Sequence, residues 1–157
     1  MAVSKDEFRR AMASFASGVN IVTTRSEENA KLGITVSAFS SLSLEPPLIL
    51  ICIDKRASIH DHLREGRHFA VNILAEGQES LSNRFASRET DRFNGIECAE
   101  GASGLPLIGG ALAHIECRVV AAYPGGDHTI YVGEVEATRV SEGNPLAYFR
   151  GRYSRLA

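Results

Sequence analysis

The chain has 157 residues, 44% hydrophobic and 23% charged, which suits one well-packed domain and argues against disorder. Its net charge of −2 excludes a sequence-independent nucleic-acid binder, which needs a basic face. The first ten residues carry mixed charge and no apolar core of a secretory signal, and no apolar run reaches the length of a membrane span. No nucleic-acid or membrane partner is therefore expected.

Residues 4–17 are expected to form a helix. Ser4 and Glu7 have capping-box spacing, Phe8, Ala11, Met12 and Phe15 recur at helical intervals, and Gly18 is a natural stop. Residues 19–25 are β-branched and read as a strand, residues 26–33 hold a polar turn, and the segment from Gly33 begins as the hairpin partner. Pro46 and Pro47 break the ladder. Residues 48–53 are aliphatic throughout and predict a fully buried strand. Ser58 is placed as N-cap of a short helix ending at Gly66. Residues 68–74 give another strand, and residues 78–87 a second helix with Leu81 and Phe85 inward. Residues 101–110 read as loop. Two long strands, 111–123 and 129–141, then pair across a Gly-rich turn, before an irregular tail rich in Tyr and Arg. About six strands with short helices, and no regular βαβ alternation, indicate a compact antiparallel barrel or an α+β fold.

Several signatures are missing. There is no dinucleotide-binding GxGxxG, no P-loop and no GxSxG elbow. The three cysteines, Cys52, Cys98 and Cys117, are widely spaced, which disfavours disulfides and zinc and suits a reducing cytoplasm. Cys52 and Cys117 read as small core residues. His60 and His62 fall on different helix faces, so no metal site is expected. An enzyme of this composition would take its hard chemistry from an organic cofactor.

Four segments could hold one. Thr35 and Ser37 share one face of a strand whose pattern loosens beyond Ser37, freeing hydroxyls and N–H groups for a ligand, although an edge strand facing water gives the same pattern. At 54–58 a strand end, Lys55 and Arg56, and the helix start at Ser58 surround one point, which favours an anion over a plain N-cap. Arg84, Arg88 and Arg92 recur every four residues; they form a solvated helix face unless the helix ends before Arg88. Asp127 and His128 follow two glycines at the start of a strand. That histidine is well placed to touch a ligand, or simply to pair with Asp127.

Taken in order, the segments 15–24, 33–50, 69–74, 81–93, 104–108, 126–135 and 145–153 resemble the short-chain flavin reductases of two-component monooxygenase systems, over nearly the whole chain. The resemblance implies a mainly β fold with short helices, an FMN-binding split β-barrel, as a single domain and a homodimer. It implies NAD(P)H-dependent reduction of FMN or FAD and release of reduced flavin to a partner oxygenase; NADH is the expected reductant, with NADPH as the alternative. It places Thr35, Val36, Ser37 and Ala38 along the isoalloxazine, and Asp54, Lys55, Arg56 and Ser58 at the ribityl phosphate. Phe85, Ala86, Ser87 and Arg92 would close over the flavin. His128 would contact the nicotinamide, near Tyr148, Gly151 and Tyr153. Arg150, Arg152 and Arg155 could meet a 2′-phosphate or form a solvated tail. The competing expectations are a protein with tightly bound flavin for electron transfer or sensing, a related ferric reductase or oxidase, and a non-enzymatic dimerisation module.

Overall fold

The computed structural model describes residues 1–157. Helix α1, Lys5–Met12, starts in the expected capping box: Ser4 Oγ accepts from the Glu7 N–H, and the Glu7 carboxylate accepts from the Ser4 N–H. It ends five residues earlier than expected, with no buried residue. Ser17–Gly18 (β1) is instead extended and pairs with the tail.

The main sheet is antiparallel throughout. Its strands are β2 (Asn20–Arg25), β3 (Lys31–Val36), β4 (Phe39–Ser43), β5 (Leu48–Asp54), β6 (His68–Ile73), β9 (Ala113–Gly125) and β10 (His128–Val140), with β7 (Cys98–Glu100) and β8 (Pro106–Ile108) intervening in the chain. They run in the order β3-β2-β6-β9-β10-β5-β4. The two edge strands, β3 and β4, are consecutive in the chain, and the sheet curls so that β3 approaches β5; the Cys52 N–H on β5 extends the β4–β5 ladder by one residue to the Ala38 carbonyl. This is a split β-barrel, open along one seam, with residues 37–38 in the seam.

The main core is aliphatic and aromatic: Val22, Ile51, Ile53, Phe69, Val119 and Tyr131 are all below 3% exposed. β5 is not buried on both faces. Ile49, Ile51 and Ile53 point into the core, while Leu50, Cys52 and Asp54 are half-buried on the outer face. The unbroken aliphatic run concealed this period-2 alternation, because Leu50 and Cys52 line an apolar groove rather than water.

Helix α2, Glu79–Ala86, packs Phe85 into a second core with Val19, Ile21 and Leu74. Segment 101–110 is not all loop: Pro106–Ile108 (β8) is fully buried and pairs with Cys98–Glu100 (β7). Buried Asn72 closes this region, accepting from the Ile108 N–H and donating to Ile21 O and Thr23 Oγ1. The tail forms a hairpin, Ala147–Phe149 (β11) and Arg152–Ser154 (β12), that pairs with β1.

Candidate functional site

The seam of the barrel is where the chain leaves polar backbone available. β3 pairs only with β2, and that ladder ends at Val36. Asn20, 4% exposed, fixes this end by donating its amide to the Val36 carbonyl. Beyond it the Ser37 carbonyl accepts from Phe39 and the Ala38 carbonyl from Cys52, but the N–H groups of Ser37 and Ala38 meet no protein acceptor. Both residues are exposed. The Thr35 hydroxyl is less free than expected, since it donates to the Ser82 carbonyl at 2.7 Å and ties β3 to α2.

Three cavities converge on Ser37. One, about 260 Å³, lies between Thr35–Ser37 and the end of α2, with Ala86 on one side and Tyr148 and Tyr153 opposite. The two tyrosine rings meet edge to face at 5.3 Å, and Tyr153 is oriented through its hydroxyl, which donates to Asn83 Oδ1 and shares a hydrogen bond with the Ser82 hydroxyl. A second, about 160 Å³, is bounded by Ile34–Ala38, Cys52, Asp54 and His128. The third, about 940 Å³, runs from Ser37, Ala38, Cys52 and His128 under α1 to Gly151 and Arg150.

His128 opens β10, in register with Asp54 on β5. Its Nδ1 lies 2.7 Å from Asp127 Oδ1, while Nε2 has no protein partner. This hydrogen bond holds the Asp127 carboxyl below its usual range. Asp54 is held well below the carboxylate range by the Arg56 guanidinium at 2.9 Å and the Arg56 N–H. Burial pushes the Cys52 thiol up, so it stays neutral. The site therefore presents fixed negative charge at Asp54 and Asp127, one cation paired with Asp54, and an imidazole facing both cavities.

The structure thus gathers Thr35, Val36, Ser37, Ala38, Asp54, Ala86, Tyr148, Gly151, Tyr153 and His128 on connected cavities. Other expected residues sit differently. Ser58 caps no helix: the turn at 60–62 is a single 3₁₀ turn whose N-cap is Ile59, with no side-chain cap. The Asp54 carbonyl and carboxylate take the Ala57 and Arg56 N–H groups and fold this segment before a helix can start. A helix dipole is absent there, and what remains for an anion is Lys55, Arg56 and the Ser58 hydroxyl.

Phe85 has no exposed surface and packs edge to face on Phe93 at 5.0 Å. Arg92 is turned to backbone, donating to Gly33 O at 2.7 Å and Ser87 O at 2.5 Å. The Ser87 hydroxyl donates to the Arg84 carbonyl and accepts from the Glu89 N–H. These three residues build the wall rather than its surface. α2 does end before Arg88, as a loop over this region requires. Cys52, Asn20, Ser82 and Asn83 were missed. Cys52 could have been found from its i,i+2 spacing to Asp54; the others carry no signal without the fold.

This geometry suits a flavin. Two free N–H donors suit the polar edge of such a ring and tyrosines flank a slot beside them, while Lys55 and the Asp54-paired Arg56 follow the end of β5.

Residues 12–157 match the model of the flavin reductase like domain. The chain is 45% identical over 153 residues to the reductase component of 4-hydroxyphenylacetate 3-monooxygenase from Thermus thermophilus, covering 97% of each chain. It is 42% identical over 152 residues to an NADH-dependent flavin reductase from a Rhodococcus species, covering 94% of this chain and 84% of the other. Among solved structures, a Streptomyces globisporus NADH:FAD oxidoreductase in complex with NAD and FAD fragments superimposes with a TM-score of 0.92 at 37% identity, over 100% of this chain and 97% of that one. With its split barrel, its seam donors and these similarities, the chain belongs to the flavin reductase like family.

Proposed function

We infer that this protein is an NADH-dependent flavin reductase that reduces FMN or FAD and supplies the reduced flavin to a partner monooxygenase. The observation that carries this reading is the pair of free N–H groups at Ser37 and Ala38, set where three cavities meet beside His128. A flavin held at the Ser37 and Ala38 N–H groups would supply the hydride-accepting ring, with the reduced nicotinamide as hydride donor.

The chain's own part is binding and orientation. The Ser37 and Ala38 N–H groups are aimed where negative charge grows as the ring is reduced, and fixed donors of this kind stabilise such charge without reorganising. Tyr148 and Tyr153 confine a planar ring, and His128, braced by Asp127, positions the nicotinamide. Holding two rings in reacting geometry is the main rate term available, since no side chain here is placed as a strong acid or base. No cation lines the 260 Å³ cavity between Thr35–Ser37 and α2, so a reduced ring held there is stabilised without being trapped and can leave.

Lys55, Arg56 and Ser58 form the phosphate end of the site, and Thr35, Val36, Ala86, Tyr148 and Gly151 complete its walls. The working unit is a homodimer. No helix is long and apolar enough to cross a membrane, and three unpaired cysteines fit a reducing cytoplasm.

The test is NADH oxidation in air with and without free FMN or FAD. Consumption of many equivalents of NADH only when flavin is added supports a diffusible-flavin reductase and ranks the two flavins. A protein that binds flavin stoichiometrically and ignores added flavin is a carrier or sensor.

A further inference from the structure

The hairpin loop between β11 and β12 has two residues, Arg150 and Gly151, with φ of 49° and 76°. This is the type I′ turn, whose first position also needs a positive φ and normally holds Asn, Asp or Gly. Arginine there is strained, and strain of this kind concentrates where a side chain is needed. Three observations say what it is needed for. First, Arg150 borders both the 940 Å³ groove that contains His128 and a neighbouring cavity of about 580 Å³ beside α1. Second, it is fixed: its N–H donates to the Ala13 carbonyl at 3.0 Å, and its guanidinium lies over the Phe149 ring at 5.1 Å. Third, its charge has no carboxylate partner, whereas Arg155 pairs with Glu76 and Arg9 with Asp6.

Charge differs between the two ends of this path. The His128 end carries the Asp54 and Asp127 carboxylates, with Arg56 already taken by Asp54. The far end carries Arg150 and Arg10, also without a carboxylate partner, and its one acid, Glu7, is engaged by the Ser4 N–H. Lys55 and the ion-paired Arg56 offset the carboxylates at the first end, whereas the unopposed Arg150 and Arg10 at the second draw a further pyrophosphate there.

We propose that Arg150 is the phosphate anchor of the nicotinamide dinucleotide, holding its pyrophosphate so that the nicotinamide lies at His128. The proposal rests on the flavin reductase reading above. It makes Arg150 a specificity residue: it distinguishes a dinucleotide reductant from a phosphate-free dihydronicotinamide.

The test variant is Arg150→Asn, which removes the charge and suits the turn. Its kcat/KM should be measured with NADH and with 1-benzyl-1,4-dihydronicotinamide, which has no phosphate, at saturating FMN. Loss of a charge-assisted contact predicts a fall of roughly tenfold to a hundredfold for NADH and no change for the benzyl compound. Arg150→Lys should recover part of the loss, and the wild-type KM for NADH alone should rise with salt. An equal fall with both reductants would make Arg150 structural, and an unchanged NADH value would remove the anchor. A loss confined to FAD, with FMN turnover intact, would assign it to the flavin's adenylate and overturn the proposal. Equilibrium titration with NAD⁺ requires no turnover. Weaker NAD⁺ binding by Arg150→Asn would therefore support the anchor even if the wild type failed to reduce flavin, a failure that would count against the functional reading alone.

Discussion

At the scale of single residues, the site divides into groups that face the cavities and groups that hold them. His128 faces them: Asp127 takes Nδ1 and leaves Nε2 free. We predict that His128→Ala raises the KM for NADH about tenfold, the loss of one well-placed contact, with flavin affinity nearly unchanged. Steady-state kinetics with a separate flavin titration checks this, and equal losses for both ligands would reject the assignment. Arg56 poses a different problem, because in the free protein it is bonded to Asp54 through both its N–H and its guanidinium. Removing it strips a cation from the proposed phosphate end and also leaves the Asp54 carboxylate unscreened. Arg56→Ala should therefore weaken FMN several-fold more than riboflavin, which lacks the phosphate. Fluorescence titrations of the two flavins give the ratio; equal weakening would remove the phosphate end from Arg56. Ser58→Ala belongs in the same titration, as the test of a hydroxyl that caps nothing.

At the scale of elements, what the sequence showed depended on whether the signal was local. The capping box of α1, the β2–β3 hairpin, the long β9–β10 pair and α2 ending before Arg88 were all legible, because propensity, caps and turns are written within a few residues. The outer face of β5 was not. A strand lining an apolar groove carries the same residues as one buried on both faces, and only the half-burial of Leu50, Cys52 and Asp54 reveals it. The roles of Phe85 and Arg92 were hidden for the same reason, since both depend on what folds against them from β3. That contact is tight at Gly33, where an added Cβ would lie 2.8 Å from Phe85 Cε1 and 3.1 Å from Phe93 Cζ. Arg92 is bonded to the carbonyl of the same residue. Gly33→Ala should therefore force apart β3, α2 and the 87–94 loop and cost about 1–3 kcal/mol, the usual range for overpacking. A melting temperature lower by roughly 2–4 °C per kcal/mol, with weaker flavin binding, is the expected reading. An unchanged melting temperature would mean that the Phe85–Phe93 pair yields freely.

At the scale of the molecule, one face of the monomer is left uncovered. α1 has the apolar spacing of a core helix but buries nothing: Phe8 is 58% exposed and Met12 52%, and Phe15, just beyond the helix, is 73% exposed. Leu42 and Leu44, at the far end of edge strand β4, are 49% and 92% exposed. Phe8, Met12 and Phe15 also line the groove that contains His128, so whatever covers this face also excludes water from the reacting rings. An apolar surface of this extent, contiguous with a site that must be dry, is characteristic of an interface. A second copy of the chain would match it by symmetry, which is the prediction to test. Gel filtration with light scattering should accordingly give twice the 17.0 kDa chain mass. Phe15→Glu places a charge at the most exposed aromatic of this face, just beyond α1, and should shift the protein to monomer. If the cover is part of the site, NADH oxidation should fall with the dimer fraction and recover as protein concentration is raised. A wild-type monomer with full activity would refute the dimer. A monomeric variant with full activity would leave the dimer standing but would show that each barrel excludes water from its own groove.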